Sequence, residues 1–133
     1  MSQENVEVLR RAVEAINRGD VAAVVEFLDP EFEAGVPPEF SAEPDTYRGH
    51  DGIRRYFESF KATMDAIRYE PESFRDAGDS VVVAVRLTAK GRHTSIPVEQ
   101  RFGHVWSFRE GKVIAIRTYA SMDEALHAVG LAG

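Results

Sequence analysis

Cysteine is absent from the 133 residues, which excludes disulfide staples, thiolate metal ligands and a cysteine nucleophile and leaves the hydrophobic core to hold the fold unaided. Long apolar runs are missing as well. Val81 to Val85, as long as any, is far below the roughly 20 residues of a bilayer span, so no membrane partner is expected. The first residues, Met1 to Asn5, carry no basic stretch of the kind that opens a secretion signal, and the cytoplasm is the expected location. Basic charge is in deficit: 16 Lys and Arg stand against 22 Asp and Glu, for a net charge of −6. A chain this acidic lacks the footprint of a protein that tracks phosphate backbones, and nucleic acid is not an expected partner. The four histidines show neither an HExxH pattern nor paired His–carboxylate spacing, and there is no P-loop, dinucleotide fingerprint or GxSxG. No metal and no cofactor are therefore predicted.

What is present is an ordinary globular balance, 44% hydrophobic and 29% charged, enough for a single domain over residues 1–133. Val6, Leu9, Val13 and Ile16, then Val21, Val24, Val25 and Leu28, recur at helical steps on either side of Asn17-Arg18-Gly19-Asp20. Gly19 suits a left-handed helix end and Asp20 an N-cap, so a helical hairpin is predicted. Pro30 is expected to end the second helix, and Glu31 to Val36 to form a short strand closed by Pro37-Pro38. A turn-rich loop with two aromatics, Phe40 and Tyr47, precedes a long helix. Its expected N-cap is Asp51, and its apolar stripe runs through Ile53, Tyr56, Phe57, Phe60, Met64 and Ile67. Lys61 and Asp65 read as a solvated i, i+4 pair. Four strands follow, Arg68–Arg75, Ser80–Lys90, Ile96–Phe108 and Lys112–Tyr119, joined by connections short enough to force an antiparallel meander. Ser121 and Glu124 form the signature of a capped final helix that Gly130 ends.

Alternation within the strands suggests where a site lies. Phe102, His104, Trp106 and Phe108 share one face; set against the Tyr56-Phe57-Phe60 stripe, they predict a pocket with an aromatic wall. The competing reading is an ordinary packed core around a satisfied histidine. Arg86 lies on a face with Val82, Ala84 and Thr88, and its permanent charge needs a carboxylate, a carbonyl or a bound anion; a pair with Glu33 or Glu99 is the competing arrangement. Since Val82 and Ala84 make that second face apolar at its start as well, a homodimer through the outer sheet face is expected. Tyr47 and His50, flanking the start of the long helix, suggest a lid, against the alternative that Tyr47 plugs the core.

The order of elements, with Ile16-Asn17-Arg18-Gly19-Asp20, Tyr47-Arg48-Gly49-His50-Asp51-Gly52-Ile53 and Val105-Trp106-Ser107-Phe108-Arg109-Glu110-Gly111-Lys112-Val113, resembles the SnoaL-like branch of the nuclear transport factor 2 superfamily over nearly the whole chain. The resemblance implies an α+β fold, a cone-shaped curved antiparallel sheet wrapped around the N-terminal helical hairpin and the long third helix, with a short C-terminal helix. That scaffold hosts isomerases, hydrolases, cyclases and pure binders. Matched to ketosteroid isomerases, the base position falls on Ala34, the oxyanion-hole tyrosine on Ala12 and the third group on His104, so two of three groups are missing. Matched to limonene epoxide hydrolases, Arg86 keeps the arginine, while Thr88 and Thr118 replace the two aspartates. For the acidic residue that SnoaL-type cyclases use, only Glu33 and Glu99 are candidates.

The resulting expectation is a small-molecule ligand, mostly apolar and bearing a carbonyl or hydroxyl. His104 would be its acid/base or hydrogen-bonding group and Arg86 an anion partner; Tyr47, Tyr56, Phe60, Phe102, Trp106, Thr88 and Thr118 would complete the site. Any chemistry would be cofactor-independent proton transfer by an imidazole titrating near neutrality. The alternative is a non-catalytic binding or dimerisation module whose cavity is filled by its own side chains. The two differ in whether His104 and Arg86 point into open space or Arg86 is paired with Glu99 or Glu33.

Overall fold

In a computed structural model of the chain, which describes residues 2–36 and 45–131, two helices open the fold, α1 (Ser2–Arg18) and α2 (Val21–Glu26). The corner between them forms as the sequence predicts: Gly19 takes φ +70° and the Asp20 carboxylate accepts the Ala23 amide proton at 3.1 Å. Then follow β1 (Leu28–Val36), β2 (Asp45–Arg48), α3 (Gly49–Thr63), β3 (Met64–Asp76), β4 (Ser80–Gly91), β5 (Pro97–Arg109), β6 (Lys112–Tyr119) and α4 (Met122–Ala128). The α+β architecture matches the expected one, a six-stranded sheet in the order β2-β1-β6-β5-β4-β3. β3 to β6 form the antiparallel meander, and β1 joins β6 in parallel. At the tight turn between β5 and β6, Glu110 (φ +51°) and Gly111 (φ +78°) are both left-handed, the pairing a two-residue hairpin turn requires.

Several boundaries depart from the expectation. Leu28 begins β1 rather than ending α2, and Pro30 sits within that strand. The N-cap of α3 is Arg48, with no side-chain cap, while Asp51 lies in the first turn and pairs with Arg54 at 2.9 Å. The helix ends at Thr63, so Met64 and Ile67 belong to β3. Their helical spacing is coincidental; pairing of Met64 with Gly91 and of Asp65 with Lys90 holds this segment extended. Asp65 accordingly binds Arg92 at 2.9 Å, and Lys61 donates instead to the Gly19 carbonyl at 3.2 Å. Phe40 and the Pro37-Pro38 closure lie outside the described residues.

Strand register settles the faces. Val81 pairs with Trp106, Val83 with His104 and Val85 with Phe102, so these six share the inner face toward α1 and α3, where the main core gathers. On the outer face Val82 and Val105 pack under Ala125 and Leu126 of α4. Gly103 makes that docking possible: a Cβ there would stand 2.5 Å from the Ser121 carbonyl oxygen and 3.0 Å from the Ala125 Cβ. The Ser121 hydroxyl caps α4 by accepting the Glu124 amide at 3.1 Å. Of the two apolar residues that suggested a second subunit on this face, Val82 lies under the chain's own last helix, while Ala84 remains partly exposed. Among the described residues no helix is long and apolar enough to cross a membrane.

Candidate functional site

Between the inner face of the sheet and the helices lies a cavity of about 130 Å³. Its walls are almost wholly apolar: Ile16 from α1, Phe32 from β1, Tyr56 and Phe60 from α3, Phe102 and Trp106 from β5. The volume is close to that of an engineered ~150 Å³ protein cavity that takes up benzene, which sets the scale of an occupant at one ring with a small substituent.

One polar relay runs along the wall. The Trp106 indole N–H donates to the Tyr69 hydroxyl at 3.2 Å, the Tyr69 hydroxyl is 2.8 Å from His104 Nδ1, and His104 Nε2 is 3.1 Å from Thr118 Oγ1. Proton counting orients it. The indole nitrogen is only a donor, so the Tyr69 oxygen accepts there, and the single acceptor within reach of the Tyr69 proton among the described residues is His104 Nδ1. His104 is then the Nε2–H tautomer and donates to Thr118, whose own hydroxyl proton is left for the cavity. Burial without a countercharge pushes the His104 pKa down to about 3, so at neutral pH the imidazole is uncharged. The expected imidazole poised near pH 7 is thereby corrected: His104 is a neutral hydrogen-bonding group. Burial likewise pushes the Tyr56 hydroxyl up to about 12 and raises the Tyr69 pKa, and both stay protonated.

Two residues that sequence reasoning did not single out build this relay. Tyr69, 5% exposed, enters the inner face through its pairing with Leu87. Asn17, at the end of α1, fixes it by accepting the Tyr69 N–H at 2.7 Å and donating to the Tyr69 carbonyl at 3.0 Å. A signal for Tyr69 was present, since Arg68, Glu70 and Glu72 alternate charges on one side of the strand and leave Tyr69 to the other.

Of the predicted site residues, His104, Tyr56, Phe60, Phe102, Trp106 and Thr118 line the cavity. Three do not. Arg86 projects from the outer face, where its guanidinium binds Glu70 at 2.9 Å and Glu99 at 3.1 Å; these partners hold its pKa above the usual arginine value, Glu99 first. Inner-face register belongs to the odd positions of β4, which also turns Thr88 outward beside Glu99. Tyr47 is buried in the core, its ring set edge-to-face against Tyr56 with centroids 5.0 Å apart and the Arg55 guanidinium 4.7 Å from its ring centroid; it is a plug, not a lid. His50 is fixed at 3.0 Å on the Leu28 carbonyl. Glu33 is exposed near Arg48, and Glu99 binds Arg86 and Arg101, so neither carboxylate reaches the cavity. Ala12 and Ala34, where the resemblance places catalytic groups, do face it. The two arrangements weighed from sequence are thus mixed: His104 points into open space, while Arg86 is paired outside.

Residues 9–116 match the SnoaL-like domain family. No functionally curated protein matches the sequence. Among solved structures, an NTF2-like protein of unknown function from Burkholderia pseudomallei is 22% identical with a TM-score of 0.80, covering 96% of this chain and 98% of that one. An NTF2-like protein from Burkholderia xenovorans is 26% identical with a TM-score of 0.77, covering 97% of each chain. TerC, co-crystallized with polyporic acid, is 21% identical with a TM-score of 0.78, covering 95% of this chain and 97% of that one.

Proposed function

The chain belongs to the SnoaL-like domain family, and on that footing we propose that it binds a small, mostly apolar, carbonyl- or hydroxyl-bearing molecule in the cavity between sheet and helices. The observation that carries the reading is a mostly aromatic and aliphatic wall crossed by a polar relay that ends at Thr118. Such a wall favours burial of an apolar body, and the relay end gives that body an orientation. TerC, a protein of the same fold, was co-crystallized with polyporic acid, which supports a small-molecule ligand for this fold.

His104 serves as a neutral hydrogen-bonding group in this reading, not as the proton carrier of an isomerase or cyclase. Its relay orients the Thr118 hydroxyl, and no carboxylate among the described lining residues stands by to move a proton. A thermal-shift screen with single-ring ketones, aldehydes and phenols tests the proposal. A ligand at 100 times its Kd stabilises the fold by about 2.7 kcal/mol, and the expected result is a saturable rise in Tm that Ala34→Leu, which fills the cavity, removes. A Tm unmoved by every compound of this size contradicts it.

A further inference from the structure

The relay has a direction, and the direction selects the ligand. Trp106 can only donate, the Tyr69 proton goes to His104 Nδ1, and His104 Nε2–H occupies a lone pair of Thr118 Oγ1. Thr118 has no other hydrogen-bond partner among the described residues, so its proton is the free donor that the relay delivers to the cavity. Gln100 also lines the cavity, four residues along β5 from His104, but it is not part of the relay.

Resting on the cavity reading above, we infer that Thr118 is a specificity-determining hydrogen-bond donor, and that the cavity selects a neutral carbonyl compound of single-ring size over the matching hydrocarbon and the matching carboxylate. A carbonyl oxygen accepts the Thr118 proton and brings no proton of its own that needs an acceptor. A hydrocarbon offers the Thr118 proton no acceptor, a loss of about tenfold in affinity for a neutral hydrogen bond. A carboxylate must give up its hydration in a cavity whose described lining residues include no arginine or lysine, and the uncharged His104 offers no compensation.

The test uses the chain's single tryptophan, Trp106, as the reporter of binding, with acetophenone, ethylbenzene and benzoate as probes at pH 7. Acetophenone is expected to bind about tenfold more tightly than ethylbenzene, with benzoate failing to bind at concentrations that saturate the ketone. The acetophenone-to-ethylbenzene ratio falls toward 1 in Thr118→Val and returns in Thr118→Ser, with near-UV circular dichroism confirming that both variants are folded. In the unmodified protein, ¹⁵N NMR of the imidazole should show protonated Nε2 and bare Nδ1. Equal binding of the two neutral probes, a ratio that survives Thr118→Val, tight benzoate binding, or an Nδ1–H imidazole overturns the selectivity while leaving the cavity a binding site. Binding of none of the three overturns the cavity reading and this inference with it.

Discussion

Asn17 and Tyr69, 52 residues apart in sequence, hold each other by two hydrogen bonds, the Tyr69 N–H to Asn17 Oδ1 at 2.7 Å and Asn17 Nδ2 to the Tyr69 carbonyl at 3.0 Å. The amide side chain replaces a strand partner that β3 lacks there and ties the end of α1 to the tyrosine of the relay. Asn17→Ala leaves both Tyr69 backbone groups unpaired, and a loss of about 2 kcal/mol is expected in urea denaturation. Asn17→Asp keeps the acceptor and should lose less.

The depressed His104 pKa gives stability a pH dependence with a defined sign. Between about pH 3 and the ordinary histidine value near 6.5, the unfolded chain binds a proton that the folded protein refuses. Stability from this group is complete above that upper limit and falls as the solution is acidified, by about 1.4 kcal/mol per pH unit. The other titratable groups on the cavity wall, Tyr56 and Tyr69, remain neutral throughout. Denaturation midpoints from pH 5 to 6.5, above the titration of most carboxylates, are expected to drop with acid in the parent protein and to flatten in His104→Gln.

Gly103 separates the two faces of the sheet experimentally. Its missing Cβ lets Ser121 and Ala125 close on the outer face, so Gly103→Ala should push α4 outward and cost about 1–3 kcal/mol. Hydrogen exchange is expected to quicken in residues 122–128 while the Trp106 response to acetophenone is retained.

Arg86 provides the converse control. Its two carboxylate partners lie on the outer face, so Arg86→Ala should leave ligand affinity within about twofold and shift stability only slightly, with the shift shrinking further at high salt. A large loss of ligand binding would place the guanidinium back at the site.

The aromatic wall was legible because alternation in a strand is a local property. Phe102, His104 and Trp106 must share a face wherever the strand lies, and the helix corner at Gly19-Asp20 is written in residues with specific backbone roles. Which face of β4 joins that wall is different information. It depends on the pairing of Val83 with His104, set across the Gly91–Ile96 turn, and without it Arg86 and Thr88 could not be assigned to the outside. The end of α3 was hidden for a related reason: Met64 and Ile67 fit a helical stripe, and only the nonlocal pairing with β4 pulls them into a strand, with Ala66 in the left-handed region at φ +52°. Asn17 carried no signal of its role, since its partner lies on another element.

Isotope-filtered NOE spectroscopy of acetophenone bound to the labelled protein addresses the central claim most directly. Ring-proton contacts to the Trp106 indole and the Phe60 ring, with the methyl ketone end nearest Thr118, are the expected result. Contacts confined to surface side chains, or a saturated complex with none to Trp106, would contradict a binding site between sheet and helices.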